Sequence, residues 1–165
     1  MNKPVAWWGM MMLVAAELTL FGALIGTYFY LRFSVSPWPP DGIAKPSLLV
    51  PIVLAAVLVA SVVPLRLGTR LGVAVALVMQ AGYFAFAVHE FADGLRSFTP
   101  QSDAYGSIYY VLLGADHAHV AVGLLFDLWL LVRYRSLAAR VITIYWIAVV
   151  VATLAVTGTI LSAAA

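Results

Sequence analysis

Long apolar runs, separated by short segments that contain proline, glycine and charged residues, dominate the pattern of this chain. A membrane-spanning helix needs about 20 mostly apolar residues, whereas a barrel strand needs only about 9–11 alternating ones. Backbone groups inside a bilayer must be hydrogen-bonded within their own segment, so unbroken runs of this length predict helices. The predicted fold class is all-α, an integral membrane bundle of five transmembrane helices in a single domain. The predicted helices cover approximately residues 7–31, 48–65, 71–91, 105–132 and 141–162.

Composition supports a membrane protein and excludes several other classes. The 165 residues are 64% hydrophobic and only 10% charged, whereas a soluble domain carries about 25% charged residues. The chain has no cysteine, which excludes disulfides and thiolate metal sites. Its net charge of +2 is small and scattered, so we expect no nucleic acid partner.

The basic residues of the short loops predict the orientation. With five spans, six basic residues fall on the side of the N-terminus and three on the opposite side. Because loops rich in Lys and Arg stay in the cytoplasm, we expect the N-terminus inside and the C-terminus outside, in the inner (cytoplasmic) membrane of the cell. The larger group is Lys3, Arg66, Arg70, Arg133, Arg135 and Arg140, and the smaller is Arg32, Lys45 and Arg96.

One acidic residue stands near the middle of the first apolar run. Glu17 is the only charged residue between Val5 and Leu31. A carboxylate at this depth costs several kcal/mol unless it is protonated or paired, so it is expected to face protein rather than lipid. Its depth differs by less than about 10 Å from that of Asp116 and His119 on the fourth helix, at 1.5 Å per residue. We therefore predict a contact of Glu17 with His119 or with Asp116.

Two interpretations of this polar group stay open. The simpler is an ordinary set of interhelical polar links, each contributing well under about 2 kcal/mol. The second and more specific interpretation is a metal site at Asp116, His117 and His119. Two histidines that are two residues apart on a helix diverge by about 200°, so they cannot share an ion without further ligands. We expect no metal here.

A second group of titratable residues lies at the outer end of the third predicted helix. His89 and Glu90 end this helix, and Asp93, Arg96 and Asp103 follow in the loop. Charged residues at the membrane boundary are usually solvated, so we interpret this group as an outer rim and not as a catalytic site.

One more acidic residue lies inside a predicted helix. Asp127 falls in the inner half of the fourth helix. A buried carboxylate needs a partner. Arg133, Arg135 or a residue of a partner protein are the candidates.

Several short motifs stand in a fixed order along the chain. The first predicted helix carries Trp8-Gly9-Met10, Ala16-Glu17, Phe21-Gly22 and Tyr28-Phe29-Tyr30, and the next loop reads Trp38-Pro39-Pro40-Asp41-Gly42-Ile43. The third and fourth helices add Glu90-Phe91, Tyr105-Gly106-Ser107, Gly114, His119-Val120 and Gly123. In this order and spacing the motifs resemble subunit III of the haem-copper oxidases, from Trp8 to about Arg135. The helix count resembles the five-helix form of that family.

The resemblance implies a non-catalytic subunit that stabilises the catalytic subunit of a terminal oxidase in aerobic electron transport. It implies that this chain binds no cofactor and that haem and copper lie in the partner. The implied partners are subunits I and II of the oxidase and membrane lipids. It also implies that Glu17 is the family's buried carboxylate.

The chain departs from the family pattern on its last two helices. The family usually reads Gly-x-His-Gly-x-His-Val on the fourth helix, where this chain has Asp116 and His117 in place of the first histidine and the second glycine. On the fifth helix Thr153 replaces a tryptophan. We expect a rearranged buried network. The other departures are Ile147 and Val150, which replace a histidine and an aspartate after the matching Tyr145-Trp146.

Two alternative functions stay open. The first is the accessory subunit of a nitric oxide reductase. The second is a stand-alone proton-coupled carrier, because carriers also use acids and histidines inside the membrane. An odd count of five helices does not divide into the equal halves that carriers often have, which argues against the second alternative.

Overall fold

The computed structural model describes residues 4–43 and 48–164. Within these residues it contains five α-helices and no strand. Lys3 and Lys45, which entered the charge count, lie outside the described residues. The helices are α1 (Val5–Ser34), α2 (Leu49–Arg66), α3 (Arg70–Gly94), α4 (Ala104–Val132) and α5 (Ser136–Leu161), and a 3-10 turn (Ser162–Ala164) follows α5.

All five helices are long and apolar enough to cross a membrane, which confirms the predicted fold class. The shortest, α2, has 18 residues. At 1.5 Å per residue it is about 27 Å long, close to the roughly 30 Å hydrocarbon core of a bilayer. The protein is therefore a multi-pass membrane protein.

The helices extend beyond the apolar runs that predicted them. The largest difference is at α5, which begins at Ser136 and not at the predicted residue 141. Hydropathy marks where a segment enters the membrane, whereas a helix of good formers such as Ala138, Ala139 and Arg140 continues into the polar boundary. The helices α1 and α3 also extend past their predicted ends, to Ser34 and Gly94.

The central helix of the bundle is α5. It packs against α1, α2 and α4, while α1 makes its main contacts with α4 and α5 alone. Buried residues make up 56% of the apolar window of α5 but only 17% of that of α1. Among the described residues of α1, only Phe21 and Tyr28 are fully buried. The position of α1 therefore depends on a small number of contacts with α4 and α5.

Gly123 on α4 is in tight contact with Trp146 on α5. A Cβ atom added at this glycine would lie 2.5 Å from the Cζ2 atom of Trp146. Trp146 is fully buried on α5. The absence of a side chain at residue 123 lets the indole ring lie directly against the backbone of α4.

Hydrogen bonds close both ends of the bundle. At the end where α1 finishes, the indole N–H of Trp38 donates to the Tyr28 hydroxyl at 3.0 Å, which holds the following loop over α1. At the other end, Tyr134 donates to the carbonyl of Gly68 and Arg70 to that of Leu131, which joins the α2–α3 turn to the end of α4. We call this second end the arginine-rich end, since Arg66, Arg70, Arg133, Arg135 and Arg140 lie there.

Candidate functional site: a buried polar network

The structure brings Glu17 of α1 and His119 of α4 together. The Oε1 atom of Glu17 lies 3.8 Å from Nε2 of His119, and the two side chains are 12% and 21% exposed. Of the two contacts predicted for Glu17, this is the one that forms. The pair lies near the middle of α1 and α4, so it joins the two helices inside the membrane.

The orientation of the imidazole follows from its other contacts. His119 Nδ1 lies 2.6 Å from the carbonyl of Ala115, one turn earlier in the same helix. Because a carbonyl only accepts, Nδ1 carries the hydrogen, and Nε2 is left to face Glu17. The ring of Phe21 packs on the imidazole at 5.0 Å between centroids. A hydrogen bond between Glu17 and Nε2 therefore needs a proton on one of these two groups.

Asp116 does not pair with Glu17; it links its own helix, α4, to α3 and α5 instead. Its Oδ1 accepts a hydrogen bond of 2.6 Å from the hydroxyl of Thr153 on α5. Its Oδ2 accepts a long one of 3.4 Å from Tyr83 on α3. Asp116 is only 2% exposed. The carboxyl group thus ties α4 to α3 and α5, on the side of α4 that faces away from the lipid.

A second buried carboxyl group belongs to Asp127, and within the described residues its partner is an amide and neither of the candidate arginines. The amide of Gln80, in the orientation that satisfies its neighbours, donates to Asp127 Oδ2 at 2.7 Å and to the carbonyl of Ala76 at 3.2 Å. The indole N–H of Trp146 interacts with Asp127, but without the geometry of a full hydrogen bond. The amide gives Oδ2 a partner without bringing a second charge into the bundle, whereas Oδ1 has no hydrogen-bond partner among the described residues.

The missed Gln80–Asp127 pair had a signal in the sequence. Gln80 is the one amide side chain of α3, in the middle of an apolar run, and buried amides need hydrogen-bond partners. Asp127, for which arginines were the candidates within the chain, also needed a partner inside the bundle. Counting depth alone did not bring the two together, because it ignores the rotation of each helix.

His117 takes no part in the network around His119. Its ring packs edge-on against Phe84 and Phe91, with centroid distances of 6.4 and 5.4 Å. His119 faces Glu17, while Asp116 faces α3 and α5. Among the described residues no group of three His, Cys, Asp or Glu side chains is arranged to hold a metal ion.

The residues predicted as an outer rim lie at the end of α3. His89 Nδ1 is 3.5 Å from Asp93, and Arg96 is 3.6 Å from the same carboxylate. The side chains of His89 and Arg96 are 68% and 84% exposed, and Glu90 is exposed beside them. We call this end of the bundle, opposite the arginine-rich end, the rim end.

Comparison with known proteins gives a consistent family. No model of a protein family matches the chain. A Nocardia farcinica protein named "Probable cytochrome c oxidase subunit 3" is 28% identical over 84% of this chain and 78% of its own length. The cytochrome c oxidase subunit 3 of Bacillus subtilis is 27% identical over 88% of this chain and 78% of its own. That of Thermostichus vulcanus is 26% identical over 77% and 67%.

These relatives support the haem-copper oxidase subunit III family for this chain. Two of the chain's departures from the pattern of that family touch each other. Asp116 stands where the family usually has a histidine and Thr153 where it usually has a tryptophan, and the two share the 2.6 Å hydrogen bond. The buried network therefore departs from the family pattern at two positions that interact: Asp116 on α4 accepts a hydrogen bond from Thr153 on α5.

Proposed function

We propose that the chain is the non-catalytic structural subunit III of a haem-copper terminal oxidase. The observation that carries this proposal is the similarity to proteins named cytochrome c oxidase subunit 3 over 77–88% of the chain. Such a subunit is part of an oxidase complex. We further propose that its neighbours are subunits I and II and membrane lipids, and that haem and copper are bound by the partner. The relatives favour an oxidase over a nitric oxide reductase or a stand-alone carrier.

The buried carboxyl groups of the described residues support a structural role, because each one contacts a neighbouring helix. Glu17 and His119 link α1 to α4, while Asp116 links α4 to α3 and α5. At the rim end Arg32 donates to Ser162 at 2.5 Å, which ties the end of α1 to the C-terminal turn. These contacts hold α1 in place on a bundle against which it buries little surface.

We propose that the N-terminus lies in the cytoplasm, in the inner membrane. Five arginines of the described residues cluster at the arginine-rich end, and only Arg32 and Arg96 lie near the rim end. Short basic loops remain on the cytoplasmic side during insertion. This orientation puts the rim end outside the cell membrane.

The experiment that tests the structural role is removal of the chain from the membrane that contains its oxidase. We expect the catalytic subunit to retain haem and to begin turnover at a similar rate, and then to inactivate faster during continuous turnover. Restoring the chain should restore the lifetime. Immediate loss of oxygen reduction at full haem content, or an unchanged lifetime, contradicts a stabilising, non-catalytic role.

A further inference from the structure

A cavity of about 430 Å³ lies in the bundle, and no residue of α1 lines it. Residues of α2, α3, α4 and α5 line it. Glu90, Asp93 and Ser97, all exposed at the rim end, surround its mouth. Asp116 and Tyr83 lie at its deepest part. The cavity thus connects the surface of the rim end with a carboxyl group inside the membrane.

The walls of the cavity carry polar groups that the protein does not satisfy. For comparison, two threonines of α5 that do not line the cavity, Thr143 and Thr159, each donate a hydrogen bond to a carbonyl one turn earlier, at 2.8 and 2.7 Å. Thr157, which lines the cavity, has no such bond in the described part of the chain. Neither ring nitrogen of His117 has a hydrogen-bond partner among the described residues, and His117 also lines the cavity.

Asp116 has spare hydrogen-bonding capacity as well. A carboxylate offers about four acceptor sites. Asp116 receives one short hydrogen bond, from Thr153, and one at 3.4 Å from Tyr83. Tyr83, the donor to Oδ2, lines the cavity together with Asp116. A buried carboxyl group that is incompletely satisfied by protein is stabilised by an ordered water.

An acyl chain cannot satisfy these groups, whereas water can. Buried water needs about 2–4 polar partners and at least about 10–15 Å³ of space, and empty cavities are found where the walls are apolar. A cavity of about 430 Å³ has room for several waters between the mouth and Asp116. Three carboxyl groups, those of Glu90, Asp93 and Asp116, lie along it, and Asp93 is the one that also contacts Arg96, at 3.6 Å. Acidic walls raise the local concentration of cations.

We propose that this cavity is a water-filled vestibule that opens at the rim end, admits small cations in preference to anions, and ends at Asp116. It gives an acid of the rearranged network direct contact with the aqueous phase. The glutamate of α1 has no part in it, because Glu17 is not among the residues that line the cavity. The inference does not depend on the oxidase assignment.

The absence of cysteine allows a direct test by thiol labelling. Leu113→Cys places a thiol on the cavity wall, about 13 Å from the start of α4. Val111→Cys is the matched control, since Val111 is on the same helix, is 50% exposed and does not line the cavity. Ser97→Cys reports the mouth. Methanethiosulfonates react with the hydrated thiolate, and thiols in hydrocarbon stay protonated.

The complete protein is labelled in sealed membranes with a trimethylammonium methanethiosulfonate and with its sulfonate counterpart, and the mass of the isolated chain is followed. We expect Leu113→Cys to react with the cation, as Ser97→Cys does, while Val111→Cys stays unlabelled. At Leu113→Cys the cation should react about tenfold faster than the anion. Asp116→Asn in the Leu113→Cys background should reduce this preference.

Three outcomes overturn the proposal. Equal, slow reaction of Leu113→Cys and Val111→Cys with charged reagents, together with rapid reaction of both with a hydrophobic maleimide, shows that lipid chains fill the space. Equal reaction rates of Leu113→Cys with the cationic and the anionic reagent show that the cavity has no preference for cations. Reaction of Leu113→Cys only with reagent on the side of the arginine-rich end shows that the cavity does not open at the rim end. If Leu113→Cys does not accumulate in membranes, Thr157→Cys on the facing helix α5 carries the same test.

Discussion

Thr153 and Asp116 form the shortest hydrogen bond between two side chains in the core of the network, at 2.6 Å. Each residue alone breaks the pattern of the subunit III family, and together they form a hydrogen-bonded pair. Asp116 is 2% exposed and so is Thr153. A buried carboxyl group deprived of its donor costs about 1–3 kcal/mol. The presence of a threonine at residue 153 is therefore best explained by its hydrogen bond to Asp116.

The first prediction concerns this pair. Thr153→Val keeps the shape and removes the hydroxyl, so it should lower the stability of the chain by about 1–3 kcal/mol. Thr153→Ser keeps the donor and is the control. The measurement is the temperature at which the chain leaves the complex in mild detergent. In the Asp116→Ala background Thr153→Val should cost much less. Equal cost in both backgrounds would mean that the hydrogen bond contributes nothing.

The second prediction concerns the contact of α4 with α5. Gly123→Ala puts a Cβ atom 2.5 Å from the Trp146 ring, and overpacking of this kind costs about 1–3 kcal/mol. Gly114→Ala on the same helix has nothing within 4 Å of its added Cβ, so it should be neutral or slightly stabilising. Thermal release from the complex compares the two. Similar values for both variants contradict the close approach of the helices.

The third prediction concerns Glu17. Glu17→Gln keeps shape and hydrogen bonding, so assembly should survive. Glu17→Ala leaves Nε2 of His119 without its partner, at about 1–3 kcal/mol, and should loosen α1, whose contacts are few. We expect faster inactivation of Glu17→Ala during turnover at normal haem content. Complete loss of the initial rate in both variants, with intact assembly, would assign Glu17 to chemistry or to obligatory proton transfer.

The fourth prediction concerns orientation. The excess of arginine at one end predicts the N-terminus inside and the C-terminus outside. Reporter enzymes that are active on only one side of the membrane, fused to each terminus, measure it. The two termini should report opposite sides. Two termini on the same side contradict five spans, and a fully inverted result contradicts the orientation alone.

Much of the fold follows from apolar run lengths, because a bilayer permits few other backbone arrangements. Depth counting also brought Glu17 near His119, since both lie on helices of known direction. The choice of His119 over Asp116 needed the rotation of α4, which depth does not give. The pair of Gln80 with Asp127 was missed for the same reason.

Other features could not be predicted from single positions. In the sequence, Thr153 is only a replacement for the tryptophan of the family pattern. Its role as the hydrogen-bond donor to Asp116 follows from the packing of α5 against α4. The start of α5 at Ser136 lies outside the apolar run that marked the helix. The cavity next to Asp116 is made by four helices, and no local pattern in any one of them indicates it.

The central claim is that this chain is a structural subunit of a haem-bearing oxidase, and the most direct measurement is co-purification. A tagged copy is isolated from its native membrane in mild detergent, and its reduced-minus-oxidised visible spectrum is recorded with the stoichiometry of its partners. We predict a haem spectrum and a larger membrane subunit in equal amount. A colourless preparation of this chain alone, stable and without a partner, would contradict the account.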